Sequence, residues 1–163
     1  SVSRLNRLNK NLLLLSKIEN DSYGGKQIIS VNNCVLKNLD FFTEQAAAKK
    51  LTIQKQLLKD IEVNCNPVLA EVLVSNLFLN AIKHNTEGGT IVISVADNKL
   101  VFANNGLPLS LDNSKIFNRF YKADASGQGT GLGLSIVKKI AAVNNWGVSY
   151  SFENNLHSFT VSF

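Results

Sequence analysis

The chain holds no methionine, two cysteines, two prolines and a single tryptophan in 163 residues. With no methionine it lacks even an initiator, so it is expected to be a piece of a longer parent. Cys34 and Cys65 lie far apart, outside any CxxC or Cys/His spacing. That argues against a zinc site or disulfide framework and for two small apolar residues packed in a reducing compartment. No apolar run approaches the roughly 18 residues of a membrane span, and "NLLLLS" at Asn11 to Ser16 is too short even for a signal-peptide core. Basic residues outnumber acidic ones, 17 to 12, but are scattered from Arg4 to Lys139 without a stripe or basic-aromatic motif. Nucleic acid is therefore not an expected partner.

What is present suffices for one core: a chain of this length with 45% hydrophobic residues can bury roughly two thirds of its unfolded surface. Leu5, Leu8, Leu12 and Leu15 alternate steps of three and four, the seam of a packed helix. Two readings of that seam stay open, a helix docked on its own domain and a bundle helix separated from its partners. Residues 20–26, "NDSYGGK", predict a linker. Strands are expected at 27–33 and 51–58 around a helix at 35–49, then at 61–64. Asn66-Pro67 supplies a cap and a first helical residue for a helix ending near Asn85. Strands at 90–96 and 100–103 turn at "DNK", and 107–128 lacks periodicity, which predicts a long functional loop. A helix to about Asn145 and a hairpin turning at Asn154-Asn155 close the chain. This order argues for a helix layer against a mixed sheet.

Two features point to chemistry. On the helix from Pro67, Asn76, Asn80 and Lys83 or His84 share one face. Asparagine costs about 0.5–0.7 kcal/mol relative to alanine inside a helix, so the stacked pair is not there for helix stability. Its carboxamide oxygens suit Mg²⁺ when phosphates complete the shell, with Lys83 beside the same phosphates. The competing reading is a pair of asparagines hydrogen-bonded in a packed interface. The second feature, "GQGTGLGLS" from Gly127 to Ser135, offers backbone amides at a helix N-terminus. It is not a dinucleotide fingerprint, because no hydrophobic strand precedes it, and it lacks a Walker lysine.

In order and spacing, "SNLFLNAIKHNTEGG", "NNG" at Asn104 to Gly106, "IFNRFYKAD" and "GQGTGLGLSIVKKIA" resemble the N, G1, F and G2 boxes of sensor histidine kinases. The resemblance covers about 31–163. It implies an α+β fold, the two-layer α/β sandwich of the Bergerat ATP-binding superfamily: a mixed, mostly antiparallel sheet covered by helices on one face, with an N-terminal helix. "SRLNRLNKNLLLLSKIEN" then resembles the second helix of the dimerisation and phosphoacceptor domain. The implied division is 1–20 for this partial helix, 21–30 for the linker and 31–163 for the ATP-binding catalytic domain.

By position, the resemblance implies that Asn80 ligates Mg²⁺, that Asn76 and Lys83 contact the ATP phosphates, and that His84 lies near the nucleotide. Asn104 would accept a hydrogen bond from the adenine amino group, with Gly106 leaving room for the base. Phe117 and Phe120 would anchor a lid whose Arg119, Tyr121 and Lys122 face the nucleotide, and Gly129, Thr130, Gly131, Leu132 and Gly133 would supply backbone contacts. Asn76, Lys83 and Arg119 would carry the catalytic role. The implied reaction transfers the γ-phosphoryl group of ATP to a histidine elsewhere in the parent. The alternative is a nucleotide-sensing or scaffold module that has lost transfer. Implied partners are the phosphoacceptor domain and a response regulator receiver domain, in a homodimeric parent. The domain is expected to be cytoplasmic, with anchoring of the parent in the inner membrane left open.

Three departures from the family pattern carry expectations. Asn104 stands where an aspartate is usual, which implies weaker nucleotide binding. Pro108 replaces a glycine and should stiffen the start of the lid. Neither His84 nor His157 lies in a phosphoacceptor motif, so the chain alone should not label itself, and His157, near the hairpin turn, is expected on the surface.

Overall fold

The computed structural model describes residues 2–19, 24–122 and 131–163. The chain begins with α1 (Val2–Glu19), β1 (Gln27–Ser30), α2 (Val31–Ala48), β2 (Thr52–Leu57), β3 (Glu62–Cys65) and α3 (Pro67–Lys83). It continues with β4 (Thr90–Ala96), β5 (Lys99–Asn104), α4 (Gly133–Val143), β6 (Gly147–Glu153) and β7 (Leu156–Ser162). A five-stranded sheet runs β2-β4-β5-β7-β6, parallel between β2 and β4 and antiparallel elsewhere, while β1 and β3 form a separate antiparallel pair.

Period-two alternation sets the sheet's inner face. Ile91, Ile93 and Val95 of β4, Leu100 and Phe102 of β5, and Phe159 and Val161 of β7 are buried beneath the helices. Phe78 of α3 stacks on Phe42 of α2 at 5.3 Å and meets Phe102 edge-on at 4.8 Å, which locks both helices to the sheet. Both hairpin turns, Asp97-Asn98 and Asn154-Asn155, have two positive φ angles of 51° and 61°, as a two-residue type I′ turn requires. Cys34 and Cys65 are buried free thiols, and burial pushes Cys34 up to about 11.

The strand expected at 27–33 ends at Ser30, and the helix expected at 35–49 starts at Val31. Val31 and Val35 read as strand residues, but together with Cys34, Asn38, Phe42 and Ala46 they form the buried stripe of a helix. Ser30 Oγ caps it by accepting from the Asn33 amide and donates to Asp60 at 2.5 Å. Asp60 also accepts from the amides of Asn32 and Ile61. Desolvation pushes its pKa up, yet these hydrogen bonds outweigh it and hold the carboxylate below its usual range. Ser30→Ala is expected to cost about 1 kcal/mol in urea denaturation near neutral pH. The depressed Asp60 makes its contribution in full above its unfolded pKa, about 3.9, and loses it as pH falls through the folded value.

β1 lies inside 21–30 and pairs with β3 from Gln27↔Cys65 to Ser30↔Glu62, so those four residues belong to the folded unit rather than to a linker. At the other end, Leu15 and Ile18 of α1 are buried, and α1 packs on α4. The end of the seam at Leu15 thus packs on α4, while Val2, Leu5 and Leu13 stay more than half exposed.

Candidate nucleotide site

α3 builds one wall of a cleft. Its start is fixed by Asn66, whose side chain accepts from the amides of Val68 and Leu69, and by Pro67 at the first turn. The Asn76 carboxamide donates to Val72 O at 2.8 Å, which commits its nitrogen to the helix. Its Oδ1 faces the start of α4, where a Cβ on Gly133 would stand 3.2 Å away. Asn80, one turn on, has no hydrogen bond from its carboxamide among the described residues.

The far end of α3 is held from a distance. Lys49, just past α2, donates through Nζ to Ile82 O and Lys83 O at 2.9 and 3.0 Å, and its own carbonyl accepts from the Gly88 amide. An ammonium on the last carbonyls offsets the negative end of the helix dipole beside an anion site. Lys49→Met is expected to lower stability by about 1–2 kcal/mol in thermal denaturation, and Lys49→Arg to recover most of it. His84 caps the helix and is exposed. Desolvation, then the charges of Lys83 and Lys49, hold its pKa below the usual imidazole value.

The opposite end of the cleft is formed by the end of β5 and the turn after it. Asn104, the last residue of β5, is 1% exposed. Its Nδ2 donates to Asn105 O at 2.7 Å, which orients the carboxamide and leaves Oδ1 buried without a partner at the cleft wall. Asn105 Oδ1 accepts from the Thr90 amide, and Asn85 donates to Thr90 O, so the turn after β5 is tied to the loop after α3. At Gly106 a Cβ would stand 2.8 Å from His84 O and 3.2 Å from the His157 ring. The glycine is therefore required by packing within the protein, whatever room it leaves for a base.

His157 is not on the surface as expected: it is 3% exposed. It sits on β7 in phase with Phe159 and Val161, so strand alternation turns it inward, and that parity was a signal available in the sequence. Phe117 meets Phe159 edge-on at 6.5 Å, anchoring the segment before the glycines. Phe120 contributes backbone instead: its ring is 55% exposed, and its amide donates to Gly131 O at 2.7 Å. Gly131 has φ 74°, and a Cβ there would stand 2.7 Å from Phe120 Cα, so only glycine fits that crossing.

The cleft measures about 1340 Å³, above the roughly 300–1,000 Å³ usual for ligand pockets. Asn76, Asn80, Lys83, His84, Asn104, Gly106, Tyr121, Lys122, Gly131 and Gly133 all line it. Phe117, Arg119, Phe120 and Leu132 lie off the lining, and Gly129 and Thr130 fall outside the described residues. Sequence reasoning missed Lys10, Lys17, Lys49 and Asn85. Among the described residues the lining carries five lysines, Lys10, Lys17, Lys49, Lys83 and Lys122, and no Asp or Glu. Such a wall attracts a polyanion and offers no carboxylate to take a proton from water.

Residues 65–162 match the family described as "Histidine kinase-, DNA gyrase B-, and HSP90-like ATPase". The chain is 31% identical over 168 residues to the heme sensor protein HssS of Staphylococcus saprophyticus, covering 99% of this chain and 36% of that protein. It thus spans about a third of the length of the curated relatives it matches. Two solved structures share the fold. Full-length ShkA in complex with AMPPNP has a TM-score of 0.79 and 19% identity, over 96% of this chain and 35% of that one. Histidine kinase ThkA in complex with response regulator protein TrrA has a TM-score of 0.74 and 22% identity, over 98% and 47%. The mixed sheet under one helix layer is the fold these structures share, and the chain belongs to the histidine kinase-, DNA gyrase B- and HSP90-like ATPase family.

Proposed function

We propose that the chain is the ATP-binding catalytic domain of a two-component sensor histidine kinase, passing the γ-phosphoryl group of Mg-ATP to a histidine of the parent's phosphoacceptor domain. The observation that carries this reading is a cleft with an orphaned buried acceptor at one end and lysines without carboxylates along the rest. Asn104 Oδ1 meets an exocyclic amine, and the lysines meet the phosphates. The donor set fits magnesium: Asn80 offers a neutral carboxamide oxygen that makes no hydrogen bond among the described residues, and the phosphates would supply the anionic ligands. Magnesium held there would neutralise charge on the phosphate oxygens. Asn76 and Lys83 orient the triphosphate, so catalysis consists of positioning and charge neutralisation. Because no carboxylate lines the cleft among the described residues, steady hydrolysis by the chain alone is expected to be negligible.

In this reading α1 is part of the dimerisation domain, and exposed Val2, Leu5 and Leu13 are the positions a further bundle helix would cover in a homodimeric parent. A response regulator receiver domain is the further partner, taking the phosphoryl group from that histidine, as the pairing of ThkA with TrrA suggests. The domain is assigned to the cytoplasm; among the described residues no helix is long and apolar enough to cross a membrane.

The test supplies labelled ATP, Mg²⁺ and a separate phosphoacceptor-helix protein. Labelling of the acceptor and not of this chain is expected. ATP binding with no transfer to a docked acceptor would favour the nucleotide-sensing alternative, and no binding at millimolar ATP would overturn the reading.

A further inference from the structure

A buried histidine that takes no part in the proposed chemistry lies beside the cleft. His157 Nε2 is 2.7 Å from Leu107 O, and its Nδ1 is 2.7 Å from the Tyr150 hydroxyl. A carbonyl only accepts, so Nε2 carries the hydrogen, and in the neutral ring Nδ1 accepts from Tyr150. The Tyr150 oxygen in turn accepts from the Leu111 amide at 3.0 Å. The bonded pair of His157 and Tyr150 thus ties both ends of the 107–111 segment to the β6–β7 hairpin. Its edge also abuts Gly106, and it pairs across the strands with Asn104.

We propose that His157 is a positioning residue for the base end of the cleft: as the neutral Nε2–H tautomer it fixes residues 106–111 against Asn104 and so holds the wall on which nucleotide binding depends. The geometry opposes the other tautomer. An Nδ1–H would point at the Tyr150 oxygen, which already accepts from Leu111, and the Tyr150 O–H, on a side chain 6% exposed, would lose its acceptor. The binding half of this inference rests on the nucleotide reading above.

Calorimetry with Mg-ATP near neutral pH tests it on wild type, His157→Gln and His157→Phe. Glutamine reproduces the neutral ring, one donor and one acceptor, and is expected to match wild-type affinity within about twofold. Phenylalanine keeps an aromatic ring and loses both hydrogen bonds, with about tenfold weaker binding. In parallel, nitrogen-15 NMR should show the Nε2–H tautomer, and exchange of the Leu111 amide should quicken in His157→Phe. Wild-type affinity in His157→Phe, His157→Gln as weak as His157→Phe, or an Nδ1–H tautomer would each overturn the proposal. Failure of every form to bind ATP while the NMR signature holds would overturn the nucleotide reading and leave the anchoring of the wall supported.

Discussion

Replacing Asn104 by leucine is expected to weaken ATP binding by roughly 5- to 150-fold while changing the stability of the free protein by no more than about 1 kcal/mol. The two effects separate because the carboxamide is half employed. Its Nδ2 holds Asn105 O, a contact leucine loses, but its Oδ1 is buried with no partner, a cost leucine removes. Those changes nearly cancel in the empty cleft. With nucleotide present they do not, since an adenine amine buried against leucine loses the acceptor that water had supplied, at about 1–3 kcal/mol. Titration calorimetry alongside urea denaturation measures both numbers on one sample. Equal affinity for the two proteins would show that the base does not reach Asn104. Loss of stability parallel to loss of affinity would reduce Asn104 to a structural residue. Asn104→Asp should differ again: a carboxylate oxygen in place of Nδ2 would face Asn105 O, so the free protein loses stability and regains it on binding.

Asn80→Ala should cut Mg²⁺-dependent phosphoryl transfer at least about 100-fold, and ATP binding without magnesium far less. The asparagine sits mid-wall on α3 between Asn76 and Lys83, and among the described residues its carboxamide makes no hydrogen bond. Removing it therefore disturbs little of the fold, and any loss is assignable to the site. The readout is transfer to the acceptor protein across a magnesium titration. A variant that transfers at the wild-type rate once magnesium is raised has lost metal affinity alone. One that transfers normally at low magnesium would refute the assignment of Asn80 as ligand.

Much of this was legible in the sequence because it is local. Asn66-Pro67 started α3 where the structure has it, Asn154-Asn155 turned the last hairpin, and two asparagines on a greasy helix stood out because propensity alone does not put them there. The start of α2 was not legible: Ser30 becomes a cap only when Asp60, thirty positions away, reaches it. Lys49 was hidden for the same reason, since its partners are the last carbonyls of a helix more than thirty positions on. His157 is the instructive miss. Its strand parity pointed inward despite the nearby turn, and the residue proves to be hydrogen-bonded through both ring nitrogens. The lysines of α1 reach the cleft only through docking on α4, which no spacing within α1 encodes.

The pairing of β5 with β7 has a consequence for how the protein is made. β5 lies in the middle of the sheet, but one of its two neighbours is the last strand of the chain, with α4 and β6 synthesised in between. At about 5–20 residues per second, the ribosome leaves that edge without its partner for several seconds after β5 emerges. Its free N–H and C=O groups are then a template for any other strand at hand. Products broken off before Leu156 never close it, and the aggregation burden should fall on chains cut short between β5 and β7, with those that complete β7 sealing this edge.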